Sequence, residues 1–225
     1  IFEPIRMLST FVVRGKILIH DMWMEGFDWD DPFPAQLESK ARRWLMEAEA
    51  LQEIKVPRPL SRHVGNEKKL HVFSDASNLA YGAVVYLREE YQGEARTTFV
   101  VAKSKVAPIK VISIPRLELL GACLGVRLAK KVSRALSLEV TEATFWTDSM
   151  DVLHWIRQHA RTFKPFVANR VGNIQEETKP TQWQYVPTKE NPADLLSRGM
   201  TAASCVMDKL WWSGPTFLRE KPSKW

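Results

Sequence analysis

Four carboxylates occupy equivalent places in the chain: each stands where a run of strand-forming residues stops or a helix begins. Asp75 closes Leu70-His71-Val72-Phe73-Ser74, and Asp148 follows Thr144-Phe145-Trp146-Thr147. Glu118 is expected in the first turn of a helix opening at Pro115, and Asp194 lies in Asn191-Pro192-Ala193-Asp194-Leu195-Leu196-Ser197-Arg198. If the strands ending in Asp75 and Asp148 are parallel neighbours, their carboxylates emerge together at the carboxyl edge of the sheet, where open α/β sheets take ligands. Helix starts can add Glu118 and Asp194 to that edge. Two unit negative charges about 4 Å apart repel by roughly 4 kcal/mol at an effective dielectric of 20, so stability alone does not gather four of them. Hard cations such as Mg²⁺ resolve the conflict, because they prefer carboxylate and water oxygens and keep positions open for phosphate. Two such ions in one cluster stabilise the attacking and leaving oxygens of an in-line phosphoryl displacement, which is nuclease chemistry.

Each carboxylate taken alone also has a structural explanation. Asp148 with Ser149 would cap the helix that follows. Asn191 as a cap, Pro192 at the first helical position and Asp194 two residues on satisfy helix-start chemistry and the macrodipole. Glu118 near a helix N-terminus gains the same small stabilisation, and Asp75 suits a turn. Only convergence of all four separates the two readings, and spacing along the chain does not establish it.

The elements that must position these groups follow from the hydrophobic period. Leu8, Phe11, Val12, Gly15, Ile19 and Met22 mark one amphipathic helix, ended by Gly26. After a turn-rich stretch, Leu37, Ala41, Trp44, Leu45, Ala48 and Leu51 mark a second, broken by Pro57 and Pro59. The adjacent Asp30 and Asp31 precede Pro32 and read as a helix start rather than a polymerase metal pair. From residue 68 the period changes to short β-branched and aromatic runs at 69–73, 82–87 and 97–103, a meander with Gln92-Gly93 at one turn. A helix over 115–135, a strand over 143–147, helices over 150–158 and 166–177, a strand over 182–187 and a short helix over 192–198 complete the pattern. The expected fold is α/β: a mixed five-stranded sheet with helices on its faces, preceded by a small helical segment.

Lys+Arg 32 against Asp+Glu 26 leaves +6 over 225 residues, with 45% hydrophobic content, which is globular and compatible with a polyanionic partner. The basic excess sits in the middle and tail: 19 basic and 14 acidic groups fall in 63–200, and 4 and 2 in 201–225, against 9 and 10 in 1–62. No apolar run is long enough to span a bilayer, so the chain is expected to be soluble, with no membrane partner. It begins at Ile1 without a secretory leader and reads as a piece of something longer. Cys123 and Cys205 form neither a disulfide framework nor, with His20, His63, His71, His154 and His159, a zinc-ligand spacing, and both are expected to be buried.

The order of strands, helices and acids resembles the ribonuclease H fold, and the motifs around it resemble the ribonuclease H region of BEL/Pao-type LTR retrotransposon polyproteins. Those motifs are Ile17 to Trp23 with Gly26-Phe27-Asp28-Trp29-Asp30, Ser113-Ile114-Pro115-Arg116-Leu117-Glu118-Leu119, the Thr-Asp-Ser at 147–149, Phe166-Val167-Ala168-Asn169-Arg170-Val171, the late Asn191 to Arg198 run, and Leu210-Trp211-Trp212-Ser213-Gly214-Pro215. They extend over nearly the whole chain. The resemblance implies three parts: a helical reverse transcriptase thumb or connection segment at 1–62, a ribonuclease H-like domain at 63–200, and a tail at 201–225 leading toward integrase. It implies that Asp75, Glu118, Asp148 and Asp194 bind two Mg²⁺ ions, with Mn²⁺ as a substitute, and hydrolyse the RNA strand of an RNA/DNA hybrid. Asp75 then bridges both ions, Asp194 completes the nucleophile side, and Glu118 and Asp148 hold the leaving-group side. The products carry a 5′ phosphate and a 3′ hydroxyl. Implied partners are the hybrid and the reverse transcriptase and integrase parts of the same polyprotein. The implied location is a cytoplasmic virus-like particle, with the nucleus as the alternative. Cellular members often carry a histidine before the last aspartate; the loop 188–191 has none, and Ala76 stands where many members have glycine.

Arg127, Lys130, Lys131 and Arg134 share one helix face suited to phosphates, although a solvated face near a helix end accounts for them equally. Lys103, Lys105 and Lys110, and Arg157, Arg161 and Lys164, are further candidates. Ser77, Asn78 and Gln158 have the chemistry to reach 2′-hydroxyls. Two other readings compete: a non-catalytic ribonuclease H-like nucleic-acid-binding connection module, and an aspartic peptidase, as Pao-type segments are sometimes labelled. The second needs Asp-Thr/Ser-Gly, and neither Asp75-Ala76-Ser77 nor Asp148-Ser149 provides it.

Overall fold

A computed structural model of the chain describes residues 6–28, 30–32, 34–56, 59–61 and 67–225. Trp29 of the quoted motif, Pro57, His63 and the boundary expected at 62/63 lie outside the described residues.

The meander forms β1 (Glu67–Ala76), β2 (Ala80–Tyr91) and β3 (Glu94–Val106), each longer than its apolar run. Gln92 and Gly93, with φ of 51° and 82°, provide the two left-handed residues of a tight hairpin turn between β2 and β3. β4 (Thr144–Thr147) and β5 (Trp183–Tyr185) then add to the other side of β1, giving the order β3-β2-β1-β4-β5. β1 pairs antiparallel with β2 and parallel with β4, in a register that sets Ser74 beside Thr147. The five-stranded mixed sheet is therefore as expected, with β1 at its centre.

Alternation along the strands divides two cores. Leu70, Val72, Ala83 and Val85 face α3 (Ile114–Leu136), α4 (Met150–Arg157) and α5 (Pro165–Glu177). Phe73, Val84, Tyr86 and Trp146 face the opposite way. That second face is covered by α6 (Asp194–Arg198), α7 (Ala202–Met207), α8 (Lys209–Ser213) and the tail, with Trp211 and Leu218 fully buried in it. Met7 and Leu8, ahead of α1 (Ser9–Glu25), pack there too. The tail thus completes this core, and the Tyr86 hydroxyl donates to the Trp211 carbonyl at 2.6 Å.

α1 ends at Gly26, whose φ of 81° lets its N–H reach back to the last turn. The second amphipathic stripe is less buried than expected. Of α2 (Ala35–Glu47), only Leu37 is buried, Leu45 is 61% exposed, and Trp44 stacks on Phe11 at 5.1 Å. Beyond Glu47 the chain tightens into a 3-10 turn over Ala48–Glu53 rather than continuing the helix. Both cysteines are buried. No helix among the described residues is long and apolar enough to cross a membrane.

Candidate active site at the carboxyl edge of the sheet

The parallel pairing of β1 and β4 places Asp75 and Asp148, each one residue past the Ser74–Thr147 pair, side by side at the carboxyl edge. Two glycines let helices close on that edge from both faces. A Cβ on Gly121 of α3 would lie 3.0 Å from the Asp75 carbonyl oxygen, and one on Gly82, the register partner of Asp75, would lie 2.8 Å from Leu196 Cβ of α6. α3 brings Glu118, in the fifth position of the helix rather than its first turn, and α6 brings Asp194 at its start.

Asp75 is 5% exposed, and its carboxyl is pushed up to about 7. Burial is the main cause, followed by the Asp148 charge, with a smaller push from Asp194; a 2.7 Å hydrogen bond from Ser197 Oγ works against them. Burial also raises Glu118, opposed by the 2.6 Å hydrogen bond donated by Ser149 Oγ and assisted by the Asp148 and Asp151 charges. Asp148 is thus the electrostatic neighbour common to Asp75 and Glu118. Its own oxygens accept from Thr188 Oγ1 at 2.7 Å and Asn191 Nδ2 at 3.2 Å.

Asp148 does not cap α4. Ser149 does, accepting from the Val152 N–H at 3.2 Å, which leaves Asp148 outside the helix-start explanation. Asn191 is likewise not a simple helix cap. Its Nδ2 donates to the Ser74 carbonyl and to Asp148 while its Oδ1 accepts from the Ala193 N–H, tying the last motif to β1 and β4 together. Ala76 has no left-handed backbone, so the missing glycine costs nothing there.

Among the described residues, no three His, Cys, Asp or Glu side chains stand close enough together to ligate one cation. Asp194 is instead paired with Arg198, Nε to Oδ1 at 2.6 Å, one turn along α6. Ser149 was expected only as a helix cap, and Thr188, Ser197 and Arg198 carried no role in the sequence reading. Two of them lie in the 191–198 run and one in the Thr-Asp-Ser run, but their partners are as much as 122 residues away.

The expected nucleic-acid contacts divide. Lys103, Lys105, Arg127, Lys130, Lys131 and Arg134 line one groove between β3 and α3. Lys130 is already engaged by Glu177 of α5. Ser77 belongs to the β1–β2 turn, donating to the Ser197 carbonyl at 2.7 Å and accepting from the Leu79 N–H, whereas Asn78 is exposed at its tip. Lys110, Arg157, Gln158, Arg161 and Lys164 are all exposed. Arg116 and Arg170, quoted in the sequence motifs without a role of their own, hold their guanidiniums 5.2 and 3.6 Å from the Phe166 ring; the i,i+4 spacing of Phe166 and Arg170 was the available signal for that contact.

Solved structures to which the chain is similar include the N-terminal RNase H domain of a Mycobacterium tuberculosis protein, at 18% identity over 59% of this chain and 94% of that one, TM-score 0.42. RNase H1 of Halobacterium salinarum matches at 13% identity over 57% and 92%, TM-score 0.35. An RNase H1 isolated from compost by a metagenomic approach, LC11, solved in complex with an RNA/DNA hybrid, matches at 10% identity over 58% and 93%, TM-score 0.34. No curated protein matches the chain. A family model does match residues 1–149, a span holding Asp75, Glu118 and Asp148 but not Asp194, and on that match the chain belongs to the Pao retrotransposon-like RNaseH-like domain family.

Proposed function

We propose that this chain is a ribonuclease H acting on the RNA strand of RNA/DNA hybrids, with Asp75, Glu118, Asp148 and Asp194 holding two Mg²⁺ ions. The observation that carries the reading is the placing of buried Asp75 beside half-buried Asp148 at the ends of β1 and β4, where burial and then the Asp148 charge lift the Asp75 carboxyl to about 7. Carboxylate oxygens are the donors that Mg²⁺ prefers, and Mn²⁺ in its place, and since no three of these side chains among the described residues stand close enough to share an ion, the side chains must draw together to hold one. When bound, such a pair supplies a water of lowered pKa and neutralises charge on the phosphoryl oxygens.

The chain's own residues do the positioning. Ser197 fixes one oxygen of Asp75, Thr188 and Asn191 hold both oxygens of Asp148, and Ser149 orients Glu118 toward the same edge. Arg198 neutralises Asp194 until that carboxylate is needed, so Asp194 must leave Arg198 to join the other three. Exposed Asn78 in the β1–β2 turn and Arg116 at the start of α3 lie on elements that end at the same edge and can meet the sugar-phosphate backbone. As a segment of a Pao-type polyprotein, it would act beside reverse transcriptase and integrase parts, within a virus-like particle.

The Asp194–Arg198 pair favours one alternative, a non-catalytic module that binds nucleic acid with one of its four acids neutralised. Cleavage of an end-labelled RNA/DNA hybrid in Mg²⁺, alongside an all-DNA duplex, separates the two. Wild type cuts only the RNA strand of the hybrid, and Asp148→Asn binds the hybrid without cutting it. Equal cutting by Asp148→Asn would remove the site assignment, and absence of cutting by wild type would favour the non-catalytic module.

A further inference from the structure

Away from the carboxylates, β3 and α3 enclose a groove of about 410 Å³. Lys103 and Lys105 reach into it from the strand, and Arg127, Lys130, Lys131 and Arg134 from the helix. Leu124 and Leu128 form its floor, and no acidic side chain lines it. Cations on a solvated face ordinarily gather carboxylate partners, as Arg42 does with Glu38 and Lys224 with Glu220 on this chain. Among the described residues, Lys103, Lys105, Arg127, Lys131 and Arg134 form no ion pair, and only Lys130 has one, with Glu177 on its far side.

The N-terminal segment extends the positive field. Partial burial lowers the Lys103 pKa, and the charges of Arg6 and Lys16 in the segment around α1, with those of Lys105 and Lys131, lower it further. A lysine held among like charges is relieved by an anion, and the cations here are spread along the groove rather than gathered at one point. Thirteen residues of α3 separate Glu118 from Lys131, about 20 Å at 1.5 Å per residue. A single phosphate at the carboxylate edge therefore does not reach the groove, whereas a strand with one charge per about 3.4 Å spans the gap in roughly six nucleotides.

We infer that the β3–α3 groove is a second nucleic-acid contact, which grips the phosphodiester backbone of the hybrid about six base pairs from the carboxylate edge. This rests on the hybrid as substrate, and it adds a length requirement: duplexes too short to reach the groove lose its contribution.

The test compares binding of a 5-base-pair hybrid, closed by a non-ionic linker so that it stays paired, and a 24-base-pair hybrid by fluorescence anisotropy across a salt series, for wild type, Lys103→Gln/Lys131→Gln and Lys103→Glu/Lys131→Glu. The glutamine pair guards against misfolding caused by charge reversal, and circular dichroism melts verify both. Wild type should bind the longer hybrid more tightly per site, and its log K against log salt slope should fall by about 2 when two phosphate contacts are lost. In both variants the advantage of the longer hybrid should shrink at least severalfold. An unchanged slope and an undiminished length advantage would overturn the inference, as would equal weakening of both hybrids. Saturable binding of inorganic tripolyphosphate that displaces the long hybrid at constant ionic strength would reassign the groove to a free polyphosphate. Binding is measured in EDTA, so a length advantage without any cleavage in Mg²⁺ would sink the nuclease reading and leave the groove standing.

Discussion

In metal-free protein, Asp75→Asn should stabilise the fold at alkaline pH and lose that advantage in acid. Asp75 has an ordinary value of 3.8 and is lifted to about 7 in the fold. The folded state thus holds a proton there that the unfolded chain releases, and stability falls as pH rises from about 4 to about 7. A rise of about 3 units corresponds to about 4 kcal/mol, fully expressed above pH 7 and absent below pH 4. This is a ceiling, because asparagine keeps only part of the Ser197 hydrogen bond. His71 opposes it. That side chain is fully buried, accepts from Trp146 Nε1 at 3.1 Å, and is lowered from 6.5 to about 3 by burial and then by Arg88. The unfolded chain takes up the proton His71 refuses, so stability is lost as pH falls from about 6.5 to about 3. Between pH 4 and 6.5 the two groups contribute opposite slopes of about 1.4 kcal/mol per pH unit. Wild type should therefore be flat with respect to these two groups, while Asp75→Asn should expose the His71 slope. The assay is urea denaturation in EDTA at half-unit pH steps from 4 to 8, plotted as the variant minus wild type. A variant no more stable than wild type at pH 8, or a difference that does not decline toward pH 4, would refute the burial and repulsion assigned to Asp75.

Other perturbations probe separate parts of the site. Mg²⁺ affinity measured by calorimetry should rise between pH 6 and 8 as Asp75 releases its proton, with net proton release visible in buffers of different ionisation enthalpy; a pH-independent affinity would place the ion elsewhere. Arg198→Gln should lower the melting temperature in EDTA slightly, because an exposed ion pair is worth at most about 1 kcal/mol, yet raise Mg²⁺ affinity by freeing Asp194. Weaker Mg²⁺ binding in that variant would mean Arg198 assists the site. Gly121→Val should destabilise by about 1–3 kcal/mol, the usual cost of overpacking, since the Cβ alone would meet the Asp75 carbonyl at 3.0 Å; an unchanged melting temperature would show that α3 can retreat from the edge.

The sheet and the line of acids were legible because each rests on a local signal. β-branched alternation marked β1 to β4, and the strand ends marked Asp75 and Asp148, whose parallel pairing then fixed their proximity. What held those acids was not legible, because Ser197, Asn191, Thr188 and Ser149 act across 31 to 122 residues of chain and look like caps and turns in sequence. The second face of the sheet was hidden for another reason. It is covered by helices of five or six residues, too short to show a period, so Trp211 and Leu218 read as a tail rather than as core. Amphipathic spacing misled at α2, where the stripe marks a face and nothing in the pattern says how much of it a neighbour covers; Leu45 and Met46 stay exposed. The basic face of α3 was visible, but β3 alone decides that its cations face a groove, and the charges of Arg6 and Lys16 reach Lys103 only through the fold.

The most direct measurement is anomalous scattering from crystals soaked in Mn²⁺. Two peaks should appear at the carboxyl edge of β1 and β4, each within about 2.0–2.3 Å of carboxylate oxygens, with Asp75 shared between them and Asp194 released from Arg198. Crystals that diffract well but show no manganese at this edge, with Asp194 still bound to Arg198 at concentrations that saturate any cleavage, would contradict the claim that these four carboxylates form one metal site.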